Sequence, residues 1–213
     1  ERWELKPHAL RPFYRALSDW CIFLSDPTVY GWKDNSELIP PIHVNIHEVP
    51  MTDDQKQWIH RELGTLIAIR AGGITKRAAY GQVAKGFWKG QKFATNKPQF
   101  IADLIGGWTE RESTLIWCLY DKEQNSVTEA LNCESMYGDT PMKKRLEMIE
   151  RFKSSESRCL ASKPKILGFG LNLQVATRQV FSGLQDSYEA YYQCVKRSNR
   201  IGSTKPLNVH IPI

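Results

Sequence analysis

The sequence lacks any long uncharged apolar run, which excludes a transmembrane helix. No secretory signal peptide opens the chain. It also lacks a Cys-x-x-Cys pair, and its cysteines are odd in number. This pattern is typical of reduced packing residues and not of a disulfide framework or a zinc site. The cysteines are Cys21, Cys118, Cys133, Cys159 and Cys194.

The composition indicates a folded domain with a basic surface. A chain of 213 residues can bury one hydrophobic core, or one core with a small appendage. The apolar share of 41% and the seven tryptophans exclude a disordered tail. The net charge of +6 favours an acidic partner such as nucleic acid, although many soluble proteins are mildly basic. Because the chain begins at Glu1 without a methionine, we expect it to be a piece of a longer protein.

Strand and helix patterns alternate through the second half of the chain. The run Thr114–Leu119 predicts a buried strand, and Pro141 is placed to open a helix. This alternation favours an α/β fold in which helices cover both faces of a parallel sheet. A separate helix is predicted over residues 7–24, and a basic surface loop with a short helix over Ala71–Gly90. Further strands are predicted near residues 136–137, 158–162, 178–182 and 207–211.

A glutamine and two arginines, Gln193, Arg197 and Arg200, follow one another at spacings of four and three residues. This spacing places them on one face of a helix predicted over residues 186–198, with Asp186 as its N-cap. Arginines on a helix face are most often solvated. Two fixed guanidinium groups also suit anionic oxygens such as those of a triphosphate, so the spacing alone leaves both interpretations open.

Two shorter segments supply further candidate residues. Gly168 and Gly170 stand just before Asn172, and such glycines either make a turn or let the backbone approach a ligand closely. Ser162 and Lys163 follow a predicted strand, where they either cap the strand or meet a phosphate.

In this order, the segments at 168–173 and 193–206 resemble motifs V and VI of the superfamily-2 helicases and translocases, most closely the Swi/Snf-like branch. The resemblance covers about residues 38–213 and implies a RecA-like second lobe, while residues 1–37 resemble the helical connection between lobes. The run Asp186–Gln193 is more similar to helicase-like proteins of phages and mobile elements than to chromatin remodellers. Ser203 stands where the family usually has glutamine.

The resemblance implies a role for each motif. Arg197 and Arg200 would be arginine fingers for ATP, and Ser162 and Lys163 would contact DNA. The sequence has no Gly-x-x-x-x-Gly-Lys-Ser/Thr loop and no Asp-Glu-x-His box, so ATP and Mg²⁺ would be held mainly by a first RecA-like lobe of the same protein. The other residues expected near the nucleotide are Gln193, Gly168, Gly170 and Asn172.

The expected partners are that first lobe and DNA, duplex DNA above all, and no membrane. The expected location is the cytoplasm of a bacterial or phage-infected cell, with the nucleus as the alternative. The isolated chain is expected not to hydrolyse ATP.

Two other functions stay open. One is a non-enzymatic module of the same fold that binds nucleic acid through basic surfaces at Lys76–Lys89 and Lys143–Arg151. The second of these lies on a helix that is predicted to turn Met142, Leu146, Ile149 and Phe152 inward. The other function is that of a protein-interaction platform.

Two clusters are given structural interpretations. His43 and His47 are four residues apart on a strand, roughly 13 Å, which is too far to chelate one metal ion. The three tyrosines Tyr188, Tyr191 and Tyr192 are expected to pack against the sheet rather than to stack on bases.

Overall fold

The computed structural model describes residues 6–19, 27–33, 38–68, 73–167, 171–184 and 187–213. The chain divides into two compact units, Glu1–Glu37 and Leu38–Ile213. In the first unit, a 3-10 turn over Pro7–Ala9 leads into α1 (Leu10–Ser18), and a second 3-10 turn covers Pro27–Tyr30. The end of the predicted N-terminal helix lies outside the described residues, and its role as a connection between lobes stays a prediction.

The second unit alternates strands and helices. Its strands are β1 (Ile42–His47), β2 (Phe87–Trp88), β3 (Gln91–Lys92), β4 (Ser113–Trp117), β5 (Glu134–Met136), β6 (Cys159–Ser162), β7 (Ala176–Phe181) and β8 (Leu207–Pro212). Its helices are α2 (Asp53–Ala68), α3 (Gly73–Ala84), α4 (Lys97–Gly106), α5 (Asp121–Leu131), α6 (Met142–Lys153), α7 (Pro164–Leu167) and α8 (Tyr188–Val195).

Six strands form one parallel sheet in the order β1-β8-β7-β4-β6-β5. All five residues of β4 are buried, because this strand lies between β7 and β6 and both faces of the sheet are covered. On one face, Ile101 of α4 and Val127 of α5 belong to the core. On the other face, Phe152 of α6 and Val195 of α8 do so. The predicted α/β fold of the RecA type is confirmed.

Three cysteines serve as packing residues in this core. Cys118, Cys159 and Cys194 are buried, and burial raises the pKa of each thiol, that of Cys194 to about 12. Cys21 lies outside the described residues. Within the described part of the chain, no helix is long and apolar enough to cross a membrane.

The inward face of α6 agrees with the prediction for Ile149 and Phe152, which are buried, but not for Met142 and Leu146. Met142 and Leu146 are 68% and 55% exposed, whereas Met148 and Phe152 are buried. On the first turn of α6 the half-buried residue is Arg145, whose Nε donates to the carbonyl of Thr140 at 2.7 Å in the loop before the helix. The buried stripe is therefore rotated away from Leu146, and Arg145 is withdrawn from the predicted basic surface.

The prediction of a basic surface loop with a short helix over Ala71–Gly90 is correct for the helix but not for the loop. Where the structure describes this segment, it forms α3 followed by the antiparallel β2–β3 hairpin. Ala79 and Val83 of α3 pack with Trp58 of α2 in a small cluster of their own. Lys85, at the end of α3, is only 7% exposed and therefore belongs to no surface.

Two histidines, one on the edge strand β1 and one on its neighbour β8, contact each other. His47 does not face His43; its Nε2 lies 3.0 Å from Nδ1 of His210. Burial, followed by the neighbouring His47 and Arg178, lowers the pKa of His210 to about 4. Among the described residues, no group of three or more His, Cys, Asp or Glu side chains could hold a metal ion.

This histidine pair predicts a loss of stability in acid. Between pH 6.5 and pH 4 the unfolded chain binds more protons than the folded one at His210, so stability falls by up to about 3 kcal/mol as pH falls through this window. Urea unfolding at both ends of the window measures the effect. His210→Gln should remove most of it, and the exposed control His43→Gln should keep it. An equal loss in wild type and His210→Gln would contradict the assignment.

Candidate functional site

The candidate residues near the end of the chain are positioned by α8 and the turn that follows it. Ser187 caps this helix, because its Oγ accepts a hydrogen bond from the N–H of Ala190 at 3.2 Å. Asp186, the predicted cap, lies outside the described residues. Cys194 and Val195 are buried against the sheet, which leaves Gln193 and Lys196 on the opposite side, partly exposed.

Arg197 is held rigidly in the turn after α8. It is only 9% exposed, and its Nη1 donates to the carbonyl of Leu171 at 3.1 Å. Its Nη2 donates to Oε1 of Gln193 at 3.3 Å, one helical turn earlier. Burial, followed by the nearby charge of Arg200, lowers the pKa of Arg197. An arginine stays protonated in a protein, so this is a fixed positive charge in a partly desolvated place.

Arg200 is held by its backbone and keeps its side chain exposed. Its N–H donates to Oγ of Ser203 at 3.2 Å, and that Oγ donates to the carbonyl of Ser198 at 2.7 Å. Ser203 therefore closes this turn. Among the residues that the structure describes, none forms a hydrogen bond or ion pair with the Arg200 guanidinium, which is available to a ligand.

Hydrogen bonds tie the segment around Asn172 to this turn. Asn172 Nδ2 donates to Oε1 of Gln174 at 2.9 Å, and Gln174 Nε2 donates to the carbonyl of Ile201 at 2.7 Å. The N–H of Leu173 donates to the carbonyl of Arg197 at 2.9 Å. The two segments therefore form one structural unit. Gly168 and Gly170 lie outside the described residues.

These residues line a common cleft of about 700 Å³. Three of the lining side chains, Lys196, Arg197 and Arg200, are cations, and none of the lining residues that the structure describes is acidic. Guanidinium, ammonium and amide N–H groups suit phosphate oxygens, and the described lining has no carboxylate for a hard cation such as Mg²⁺. The other lining residues are Ile39, Asn172, Tyr192, Gln193, Asn199 and Ile201.

Ser162 and Lys163 are not part of this cleft. Ser162 is fully buried at the end of β6, and its Oγ donates to the carbonyl of Met136 at 3.0 Å. Its hydroxyl is therefore already used within the sheet. Lys163 forms an ion pair with Asp121, whose carboxylate is largely exposed. Of the two, Lys163 alone presents a charged group near the surface.

The predicted packing of the tyrosines on α8 is wrong for two of the three. Tyr191 does pack against the core, with its ring 5.0 Å from that of Phe181. Tyr188 and Tyr192 remain 75% and 45% exposed, because they project from the side of α8 that does not face the sheet. Tyr192 lines the cleft of the arginines.

Sequence reasoning missed a buried charge cluster. Lys85 Nζ lies 3.7 Å from Oε1 of Glu123, and the two side chains are 4% and 2% exposed. Glu123 Oε2 accepts the N–H groups of Leu119 and Tyr120 at 2.8 and 3.2 Å in a capping box at the start of α5. The spacing of Tyr120 and Glu123 was the available signal, since a glutamate at this position of a helix often reaches back to the cap.

Lys97 is the third member of this cluster. Its Nζ donates to the carbonyl of Pro212 at 2.9 Å and to that of Ser182 at 3.4 Å. Burial, followed by the nearby charge of Lys85, lowers the pKa of Lys97 to about 8. Burial likewise lowers the pKa of Lys85, against the opposing effect of Glu123. The cluster joins α3, α4 and α5 to the carboxyl edge of the sheet.

Comparisons with known proteins agree with this fold. The C-terminal part of the Fun30 ATPase domain is similar in structure, with a TM-score of 0.66 and 15% identity over 82% of this chain and 86% of that one. The SWI2/SNF2 ATPase core of Sulfolobus solfataricus, solved in complex with dsDNA, has a TM-score of 0.63 and 19% identity over 82% of this chain. The aligned region spans 41% of that core. No curated protein sequence matches the chain.

The sequence also matches the helicase conserved C-terminal domain over residues 96–202, half of the chain. This stretch contains all the cleft residues from Asn172 to Ile201. The predicted resemblance to a helicase C-terminal lobe is thereby confirmed, and the chain shares the fold of the SWI2/SNF2 ATPase core. The chain belongs to the helicase C-terminal domain family.

Proposed function

We propose that this chain is the C-terminal motor lobe of an ATP-dependent DNA translocase or helicase and that Arg197 and Arg200 are its arginine fingers. The observation that carries the proposal is the cleft of about 700 Å³ in which a fixed and an exposed guanidinium stand together without an acidic neighbour among the described lining residues. Such a cleft suits a triphosphate held from the other side by a first RecA-like lobe.

The two arginines would have different roles. Arg197 is fixed by Leu171 and Gln193, so it supplies positive charge that needs no rearrangement when the phosphoryl group moves. Arg200 keeps an exposed side chain that can reach the γ-phosphate when the two lobes close. Gln193 would act through Arg197, by holding its guanidinium in place.

The first lobe would hold magnesium, because the described lining of the cleft offers no carboxylate for it. Magnesium supplies charge neutralisation at the β- and γ-phosphates when bound. Asn172, with Gln174, would keep the motif V segment in register with the arginines.

Lys163 would contribute the charged contact to DNA. It lies at the surface beside Asp121, and a phosphate would replace this carboxylate as its partner. Ser162 would contribute through its backbone, since its hydroxyl donates to Met136. The presence of dsDNA in the Sulfolobus ATPase core supports duplex DNA as the ligand.

The isolated lobe is expected to hydrolyse no ATP, because two arginines without a phosphate-binding loop cannot hold the nucleotide and its metal. Purified chain, incubated with ATP, Mg²⁺ and duplex DNA, should release no phosphate above the level of an Arg197→Ala, Arg200→Ala double variant. The same preparation joined to its first lobe serves as the positive control. Magnesium-dependent hydrolysis by the lobe alone, lost in the double variant, would contradict the proposal.

A further inference from the structure

Two exposed tyrosines lie on α8, one turn apart. The rings of Tyr188 and Tyr192 are 6.2 Å apart at their centroids, and neither packs into the core. Tyr191, between them in sequence, already makes the contact between this helix and the core. Helix packing therefore does not account for the other two rings.

Tyr192 is the one that belongs to the cleft. It lines the cleft together with Arg197 and Arg200, whereas Tyr188 does not. Tyr192 lies on α8, whereas Arg197 and Arg200 lie in the turn that follows this helix. A ring set apart from the arginines in this way matches a ligand that has a flat group at some distance from its anionic end.

The neighbours of Tyr192 fit the same ligand. Lys196 Nζ lies 5.7 Å from the centroid of the Tyr192 ring and donates to Oδ1 of Asn199 at 2.9 Å. Asn199 in turn donates to the carbonyl of Pro40 at 2.7 Å, so the cation beside the ring is fixed. The cleft thus combines a cationic floor with an exposed aromatic face.

We infer that Tyr192 stacks on the base of the nucleotide whose phosphates meet Arg197 and Arg200. This inference rests on the proposed function and adds its base subsite. A ring face binds any base, with purines favoured because their π-face is larger. The substrate class is therefore a purine nucleoside triphosphate that is bound partly by this lobe.

A stack on DNA bases fits the structure less well. Lys163, the charged residue proposed to meet DNA, lies at the end of β6 and outside the cleft that Tyr192 lines. We therefore expect the base that stacks on Tyr192 to belong to the bound nucleotide and not to DNA. Stacking on a DNA base is one of the outcomes that the test distinguishes.

The test is steady-state hydrolysis by the two-lobe protein at saturating DNA, with ATP and with ribose 5-triphosphate, which has no base. Tyr192→Ala should raise the KM for ATP about tenfold, the loss expected for one base–aromatic stack, with kcat unchanged. Its KM for ribose 5-triphosphate should equal that of wild type. Tyr192→Phe should behave like wild type and Tyr192→Leu like Tyr192→Ala. Tyr188→Ala is the matched control and should leave the KM unchanged.

An unchanged KM for ATP in Tyr192→Ala would overturn the inference. So would an equal rise for both substrates, which would indicate damage to the phosphate site. A fall in DNA affinity with a constant KM would assign Tyr192 to DNA instead. If Arg200→Ala abolishes hydrolysis while Tyr192→Ala has no effect, only the base subsite fails. If Arg200→Ala has no effect either, the proposed function itself fails.

Discussion

Arg200→Ala is expected to lower DNA-stimulated ATP hydrolysis by about a thousandfold or more in the protein that joins this lobe to its first lobe. The exposed guanidinium would bind the γ-phosphate more strongly as charge develops on the transferring phosphoryl group. Its loss should therefore appear mainly in kcat. Its truncation should not disturb the fold, because the turn is held by the backbone contact to Ser203.

DNA affinity and thermal unfolding should stay at the wild-type values in the same variant. Arg111→Ala removes another exposed arginine of this lobe, outside the cleft, and should leave hydrolysis unchanged. If hydrolysis by Arg200→Ala stays close to that of wild type, the arginines form a structural or DNA-facing surface, and the non-enzymatic binding module becomes the better account.

Glu123→Gln is expected to lower the free energy of unfolding by about 3–5 kcal/mol at neutral pH. The substitution keeps the shape of the side chain and removes the only carboxylate within the described cluster that offsets Lys85 and Lys97. Two buried ammonium groups then lack a counter-charge. Urea unfolding of the chain measures the effect, and Glu129→Gln on the exposed side of α5 should have no effect.

The difference in the free energy of unfolding between wild type and Glu123→Gln should shrink as pH rises from 7 to 10. The pKa of Lys97 is lowered to about 8, so between pH 8 and its ordinary value of 10.5 the unfolded chain binds more protons and stability rises with pH. Without Glu123 the pKa values of both lysines fall further, and this gain begins at lower pH. A deficit that is constant over the range would mean that the carboxylate acts only as a helix cap.

The spacing of the motif residues was enough to predict the candidate site in part. Gln193, Arg197 and Arg200 do line one cleft, but the helix predicted over residues 186–198 ends at Val195, so the two arginines lie in the turn after α8 and not on its face. The link from Asn172 to Ile201 through Gln174 could not be predicted, since it depends on where two separate loops meet. The sheet could be predicted because a buried strand such as β4 contains a short apolar run, Leu115–Trp117.

The remaining features depend on contacts that no local pattern encodes. Lys85, Lys97 and Glu123 are distant in sequence and meet only at the carboxyl edge of the sheet. Lys85 therefore looked like a surface residue. The exposure of Leu146 and Tyr192 depends on how α6 and α8 are rotated about their own axes against the sheet. An apolar stripe is wide enough to allow more than one such rotation, so the sequence pattern does not fix it.

The central claim is that this lobe places Arg197 and Arg200 on the phosphates of ATP held by a first lobe. A structure of the two-lobe protein with duplex DNA and a non-hydrolysable ATP analogue tests it most directly. We predict that guanidinium nitrogens of both residues lie about 3 Å from γ-phosphate oxygens, within hydrogen-bond distance. Arginines that instead face DNA or solvent, with the triphosphate bound elsewhere in a closed cleft, would contradict the account.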